Sequence, residues 1–342
     1  MTTIPIYLIA DEQYATCLAG VLHSVLQHTS RDIHFYVLDG GLKLETQNLL
    51  CEMVQKLAPS SVLDFLPVDE SRFEGLPDIG HFSRKTYYRY LIPGLHPSEK
   101  KALYLDCDIL VCGDVGELYD TELGDYPLGA VPYRYELMPT GGSAAPLQKW
   151  GRQLKQKVGL PQTHTYFNAG VLLLNCEAMR QLGWEQRLFE KTQQLAQMLE
   201  CPDQDVLNLM CVSGYRPLEH KWNAVVDVDW QLGVQHAEQP YILHFTGGNR
   251  MRPWLSVRCP WAAAYRDCIA QTPFAARFQR GLLENELSHQ QEVLATLLDA
   301  SVKLRRSLFI RLVLWLVGQG KQNSYIVRKL KALQRTIPSQ AV

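Results

Sequence analysis

The N-terminal segments alternate between short, unbroken apolar runs and helical patterns, and this order leaves few folds open. Ile4 to Ala10, Ile33 to Leu38 and Val62 to Val68 read as strands, with helical spacing over Tyr14 to Gln27 and Leu42 to Leu57 between them. Apolar runs without polar alternation belong to strands covered on both faces, so the order reads as βαβαβ with buried parallel strands. Ala102 to Leu105 and Phe167 to Leu174 have the same character, and Leu128 to Val131 and Tyr241 to Phe245 read as shorter strands. The expectation is an α/β fold: a single mixed, mostly parallel sheet flanked by helices and extending to about Phe245.

The 342 residues, 46% of them hydrophobic, suffice for one large core or for a core plus a small appended unit. The first strand is followed by Ala10-Asp-Glu-Gln-Tyr14 rather than by GxGxxG, and GxxxxGK[ST] occurs nowhere, which removes the main support for dinucleotide binding or P-loop chemistry. Nine cysteines form no CxxC pair and Met1 leads without a basic n-region into the first apolar run, so a reducing cytoplasm is expected. The longest apolar stretch, Leu308 to Val317, is interrupted by Arg311. It falls well short of the ~20 residues that span a bilayer. Gly and Pro cluster over Pro139 to Pro146 and Thr246 to Pro253, which read as loops over a site.

Three Asp-x-Asp triplets occur, Asp106-Cys-Asp108, Asp203-Gln-Asp205 and Asp227-Val-Asp229. Only the first directly follows an apolar strand, whose end would deliver both carboxylates to the sheet's edge, where a cation can neutralise a leaving diphosphate. Among ten histidines, His244 ends a strand and precedes a glycine loop. Asp106, Asp108 and His244 together suit Mn²⁺, with Mg²⁺ as the alternative.

Six segments in order resemble glycosyltransferase family 8, the retaining enzymes of GT-A fold that include bacterial lipopolysaccharide galactosyl- and glucosyltransferases. They are Ala10 to Tyr14, Tyr87-Tyr-Arg-Tyr90, Leu103-Tyr-Leu-Asp-Cys-Asp108, Tyr166-Phe-Asn-Ala-Gly-Val171, Asp203-Gln-Asp-Val-Leu-Asn208, and the loop from His244-Phe-Thr-Gly247 to Pro253-Trp254. The resemblance covers roughly residues 4 to 260. It implies a GT-A domain over 1–270, followed by a helical, basic region over 271–342.

The resemblance also implies roles. Ala10, Asp11 and Tyr14 would hold the uracil and ribose of a UDP-sugar, Arg89 the donor sugar and phosphate, and Asn168 and Ala169 the donor sugar; Asp106 and Cys107 count among the donor-binding positions. Asp203 and Gln204 would lie beneath the anomeric carbon. An amide is neither a strong nucleophile nor a base, so Gln204 in the catalytic position argues for front-face departure with an ion-pair-like state. Asp205 acting as a nucleophile after rearrangement is the alternative. The last loop departs from the family's His-x-x-Gly-x-x-Lys-Pro-Trp, since Pro253-Trp254 comes two residues late and arginine replaces lysine. Arg250 keeps the spacing and Arg252 precedes the proline; either would grip the diphosphate over Gly247 and Gly248. Trp222-Asn223 resembles a family segment near the acceptor and stands outside the candidate site.

Three functions compete: hexose transfer from UDP-galactose or UDP-glucose to a bacterial surface glycan, sugar-phosphate nucleotide activation, and non-catalytic UDP-sugar sensing. Nucleotide activation calls for a Gly-rich, basic first loop, whereas Ala10-Asp-Glu-Gln13 is acidic and lacks glycine. From Ser301 onward there are nine Lys or Arg and no Asp or Glu, against a body near −10. This basic, apolar tail is expected to attach the protein peripherally to the anionic inner face of the cytoplasmic membrane, where a lipid-linked acceptor would be found. The plainer reading is a helical hairpin packed on the domain. Nucleic-acid binding has little support from an acidic body.

Overall fold

A computed structural model describes residues 3–79, 83–233, 239–246, 252–255, 261–285, 288 and 291. The chain divides into two units, Met1–Gln279 and Arg280–Val342, and all the described strands lie in the first.

Ten strands are present among the described residues: β1 (Ile4–Ala10), β2 (Ile33–Asp39), β3 (Val62–Pro67), β4 (Ala102–Leu105), β5 (Ile109–Val111), β6 (Leu128–Pro132), β7 (Phe167–Leu174), β8 (Arg216–Pro217), β9 (Ala224–Val225) and β10 (Ile242–His244). Seven form a sheet in the order β3-β2-β1-β4-β7-β6-β8. The half from β3 to β4 is parallel, and β7 runs antiparallel to both its neighbours. The mixed α/β sheet is thus as expected. It is not single, however: β10 lies in a second, three-stranded sheet, antiparallel to β5 and parallel to β9. The polypeptide kinks out of the large sheet at Asp106–Asp108, between β4 and β5, and that break separates the two sheets.

Burial on both faces explains the unbroken apolar runs of β1, β2, β4 and β7, whereas β3, expected to be buried, lies at the sheet's edge and has no buried residue. All eight residues of β7 and all four of β4 are buried. One face packs the helix Ala15–His28, through Leu18, Val21, Leu22 and Val25, onto Ile6, Leu8, Leu103 and Leu173. The other face, with Tyr7, Tyr104 and Leu172, is covered by Tyr87, Tyr90 and helices that include Leu188 and Val206.

The expected loop over Pro139 to Pro146 is partly helix, beginning at Ala145 with Pro146 in its first turn, where a missing N–H costs nothing. Gln148 clasps the remaining loop: its Nε2 donates to the carbonyls of Tyr135, Met138 and Pro139, and its Oε1 accepts from Gly141 N. Gly141 has φ 111°, which a residue with a side chain would rarely adopt.

Residues 275–285 are helical. The rest of the 271–342 region, including the basic tail, lies almost wholly outside the described residues, as do Gly247, Gly248 and Arg250. No described helix is long and apolar enough to cross a membrane. The eight described cysteines are free.

Candidate active site

Parallel strands β1 and β4 end at the same edge of the sheet, and the chain leaves β4 directly into Asp106. A β-bulge opens this edge further. The register between β6 and β7 shifts between Ala130 and Val131, so that Ala130 faces Leu172 while Val131 faces Asn168. The shift leaves the backbone of Ala169 and Gly170 without partners in β6 and frees it for side chains, a common use of bulges beside active sites. Ala169 N donates to Gln204 Oε1 (3.0 Å), Gly170 N to Asn168 Oδ1 (2.9 Å), and Ala169 O accepts from Arg89 (2.9 Å). On its other side Gly170 O accepts from Asp106 N at 2.8 Å.

A cavity of about 800 Å³ opens over this edge. Its lining includes the charged Arg89, Asp106, Asp108, Asp203, Asp227, His244 and Arg252. The neighbouring Tyr133, Tyr135, Leu147, Trp150 and Val228 also line it. Asn168, Ala169 and Gln204 add uncharged polar groups to the lining.

Asp106, Asp108 and His244 converge: one ligand atom from each lies within 4.8 Å of the others. His244 Nε2 is 3.1 Å from Asp108 Oδ1 and 3.8 Å from Asp106 Oδ2. Two hard oxygens and an imidazole nitrogen fit a divalent cation such as Mn²⁺ or Mg²⁺. The surroundings fit as well. A Cβ on Gly170 would sit 2.2 Å from His244 Cε1 and 2.7 Å from Asp106 Oδ2, so only glycine lets the three groups close up. Burial pulls His244 toward its neutral form, but the carboxylates of Asp108 and Asp106 outweigh it and hold its pKa above the ordinary value. Burial also raises Asp106, whereas in Asp108 the contact with His244 prevails and lowers it.

Arg89 braces the same group. Its guanidinium pairs with Asp106 Oδ1 (3.0 Å) and Asp203 Oδ2 (2.9 Å) and stacks over the Tyr104 ring, 4.3 Å from its centroid. Tyr104 also donates to Asp106 Oδ1. Thr86 Oγ1 donates to the other oxygen of Asp203 at 2.6 Å. Asp203 therefore shares the Arg89 charge with Asp106.

Gln204 and Asp205, adjacent at the start of the helix Pro202–Met210, go different ways. Gln204 lines the cavity; Asp205 is fully buried and does not. Asp205 Oδ2 accepts from the backbone N–H of Glu200 (2.8 Å) and Cys201 (2.9 Å), and its Oδ1 from the Tyr166 hydroxyl. Burial nevertheless pushes its pKa up to about 6, against those hydrogen bonds.

The expected base-binding residues stand at the end of β1, outside the cavity lining. Ala10 O accepts from Gly40 N at 2.8 Å. Asp11 caps the 3-10 turn Glu12–Tyr14 through Gln13 N and Tyr14 N, and its second oxygen takes Lys85 Nζ at 2.8 Å. Glu12 is held from two sides. It accepts from Lys43 N and Thr46 Oγ1, and Arg277 grips its carboxylate at 2.7 Å and its carbonyl at 2.6 Å. Tyr14 packs half-buried against the core. Cys107 turns inward, its thiol donating to Ile9 O at 3.1 Å. Arg252 lines the cavity. Its buried Nε has no hydrogen-bond partner among the described residues.

Sequence reasoning left several residues in and beneath the cavity unassigned. Asn223, from the pair set aside beside Trp222, is buried between His244 and Asn168. Asp227, from the triplet passed over, lines the cavity and accepts from Thr246 Oγ1 at 2.7 Å. Its companion Asp229 pairs instead with His220. Gly170 was visible as part of a motif, but its need for no side chain follows only from the packing of His244.

The family model for glycosyl transferase family 8 matches residues 5–258. The chain belongs to glycosyltransferase family 8. General stress protein A of Bacillus subtilis is 28% identical over 282 residues, 77% of this chain and 92% of that protein. The lipopolysaccharide 1,3-galactosyltransferase of Salmonella typhimurium is 24% identical, over 70% of this chain and 69% of its own. Among solved structures, the galactosyltransferase LgtC in complex with donor and acceptor sugar analogues superposes with a TM-score of 0.67 at 25% identity, covering 79% of this chain and 96% of LgtC. The fold of this family 8 member is accordingly the expected GT-A fold, and of the three competing functions glycosyl transfer is the one that holds.

Proposed function

We propose that the chain transfers galactose or glucose from a UDP-sugar to a bacterial lipopolysaccharide, lipooligosaccharide or related surface glycan, with retention of anomeric configuration. The observation that carries this reading is one cavity in which Asp106, Asp108 and His244 adjoin the uncharged cradle of Asn168, Ala169 and Gln204. The galactosyltransferase of Salmonella supports the acceptor class. An ion of Mn²⁺ or Mg²⁺, when held by the three ligands, supplies Lewis-acid stabilisation of negative charge on a departing diphosphate.

The chain's own residues complete the arrangement. Arg252 offers its unpartnered Nε–H to a diphosphate oxygen, with Arg250, Gly247 and Gly248 as further contacts of the same loop. Ala10, Asp11 and Tyr14 hold the nucleoside, while Asn168 and Ala169 orient the hexose. The bond between the anomeric carbon and the β-phosphate oxygen breaks and its electron pair leaves with UDP. The acceptor hydroxyl bonds to the same face, its proton passing to the departing diphosphate oxygen. Gln204 Oε1, held in place by Asn168 Nδ2 and Ala169 N, presents its dipole to the positive sugar ring. The front-face route is preferred over Asp205 as a nucleophile, because drawing Asp205 into the cavity would strip acceptors from two backbone N–H groups and a buried tyrosine.

The transferase domain is assigned to 1–270. The basic 271–342 region is assigned to peripheral attachment at the inner, cytoplasmic face of the membrane, supported by its nine cations and absence of acids from Ser301 on. Salt-sensitive sedimentation with anionic liposomes tests that assignment. For the reaction, UDP release is measured from UDP-galactose and UDP-glucose separately, with Mn²⁺ or EDTA, over a panel of oligosaccharide acceptors. Manganese-dependent release from one donor is expected. Release that EDTA leaves unchanged would exclude the metal assignment, and absence of donor binding would exclude the site.

A further inference from the structure

The amides at the bottom of the cavity form one continuous chain, and the direction of every bond in it is determined. Gly170 N and Ala169 N are backbone groups and can only donate, so the side-chain atoms facing them, Asn168 Oδ1 and Gln204 Oε1, are oxygens. With its oxygen so directed, Asn168 turns Nδ2 toward Gln204 Oε1 (3.1 Å) and the Tyr133 hydroxyl (3.1 Å). The second group on Asn168 Oδ1 must also donate, and it is Asn223 Nδ2 at 2.8 Å. Asn223 Oδ1 therefore faces His244 Nδ1 at 2.9 Å, and Nδ1 must carry the proton. What remains for the acidic pair is Nε2, the atom already 3.1 Å from Asp108.

We propose that Asn223 is the positioning residue that joins the two halves of the site. One end of its amide fixes the His244 ring with Nε2 toward the cation position, and the other fixes Asn168, and through it Gln204, toward the donor sugar. The proposal rests on the reading of Asp106, Asp108 and His244 as metal ligands. Asn223 is 1% exposed and both ends of its side chain are engaged. A histidine ligand is oriented by whatever accepts its second N–H. Here that acceptor is an amide whose other end belongs to the sugar-binding side.

The two ends can be separated by substitution. Asn223→Ala removes both, whereas Asn223→Asp keeps an acceptor for His244 Nδ1–H but sets an oxygen against Asn168 Oδ1. Mn²⁺ affinity of the full chain is measured in the presence of UDP by the electron paramagnetic resonance of free Mn²⁺, alongside thermal melting and steady-state kinetics. Asn223→Ala is expected to weaken Mn²⁺ binding by about 10- to 100-fold. Asn223→Asp is expected to bind Mn²⁺ as tightly as the native chain or more tightly, while kcat falls at least about tenfold through the disturbed Asn168 and Gln204. If the native chain binds Mn²⁺ and folded Asn223→Ala binds it equally well, the proposal is overturned. Should Asn223→Ala fail to fold, Asn223→Asp decides, since unchanged kcat overturns the coupling. A native chain that binds no Mn²⁺ removes the metal reading itself, and this proposal with it.

Discussion

Gln204 and Asp205 are consecutive, yet the first lines the cavity with its Oε1 held by Asn168 and Ala169 while the second is sealed behind it, held by Tyr166 and two backbone amides. An amide faces the cavity and the carboxylate serves the helix start. Gln204→Ala is expected to lower kcat by about 100-fold with donor KM changed little, since the lost interaction is one made mainly with developing charge. A variant with native kcat would show that Gln204 only fills space.

The sealed carboxylate also predicts a pH dependence of stability. Asp205 titrates near 6 in the folded chain against 3.8 for the free side chain, because burial disfavours its charged form. Between those values the native state keeps a proton that the unfolded chain has released. The stabilisation is complete below about 4 and is lost as pH rises through 6, a change of up to about 3 kcal/mol. Urea unfolding of the native chain and of Asp205→Asn at pH 4.5 and pH 7 isolates this contribution. Parallel pH profiles for the two proteins would refute it.

Gly170 and Asp108 test the proposed cation position from opposite directions. Gly170→Ala inserts a methyl group where His244 and Asp106 already lie within 2.7 Å of it. It is expected to weaken Mn²⁺ binding at least about tenfold and to cost about 1–3 kcal/mol of stability, as overpacking does. Asp108→Asn should fold normally and lose manganese-dependent turnover. Calorimetric Mn²⁺ titration and thermal melting distinguish a displaced ligand from a missing one, and full activity in folded Asp108→Asn would remove the ligand assignment.

Arg277 is remote in sequence from the turn Glu12–Tyr14 but holds it by two hydrogen bonds to Glu12. Arg277→Ala is expected to raise the KM for the UDP-sugar by about three- to tenfold and leave kcat within about twofold, the loss of a charge-assisted contact that positions rather than reacts. Arg277→Lys should restore part of the difference by keeping one of the two bonds. Equal donor KM in all three proteins would show that the turn holds its shape unaided.

Much of this molecule could be read before its fold was known, for identifiable reasons. β1, β2 and β7 announce themselves because strands buried on both faces must be apolar throughout. Asp106 and Asp108 stand out because a strand ends directly before them. The two-residue strands β8 and β9 are too short to carry any period, and the transfer of β10 to a second sheet follows from pairing with β5, which an apolar run does not encode. Asn223 gains its place from partners 21 and 55 residues away. The opposite fates of Gln204 and Asp205 depend on which way a helix turns about its axis, and one triplet of residues cannot disclose that.

The large sheet is complete at Pro217, but the third member of the acidic-imidazole group arrives only at His244, 136 residues after Asp108. During synthesis the strands of the large sheet can therefore pair before the strand that carries His244 has been made. Framework and site are completed at separate points along the chain, and one that ended between them would lack His244 together with the core residues Ile242 and Phe274.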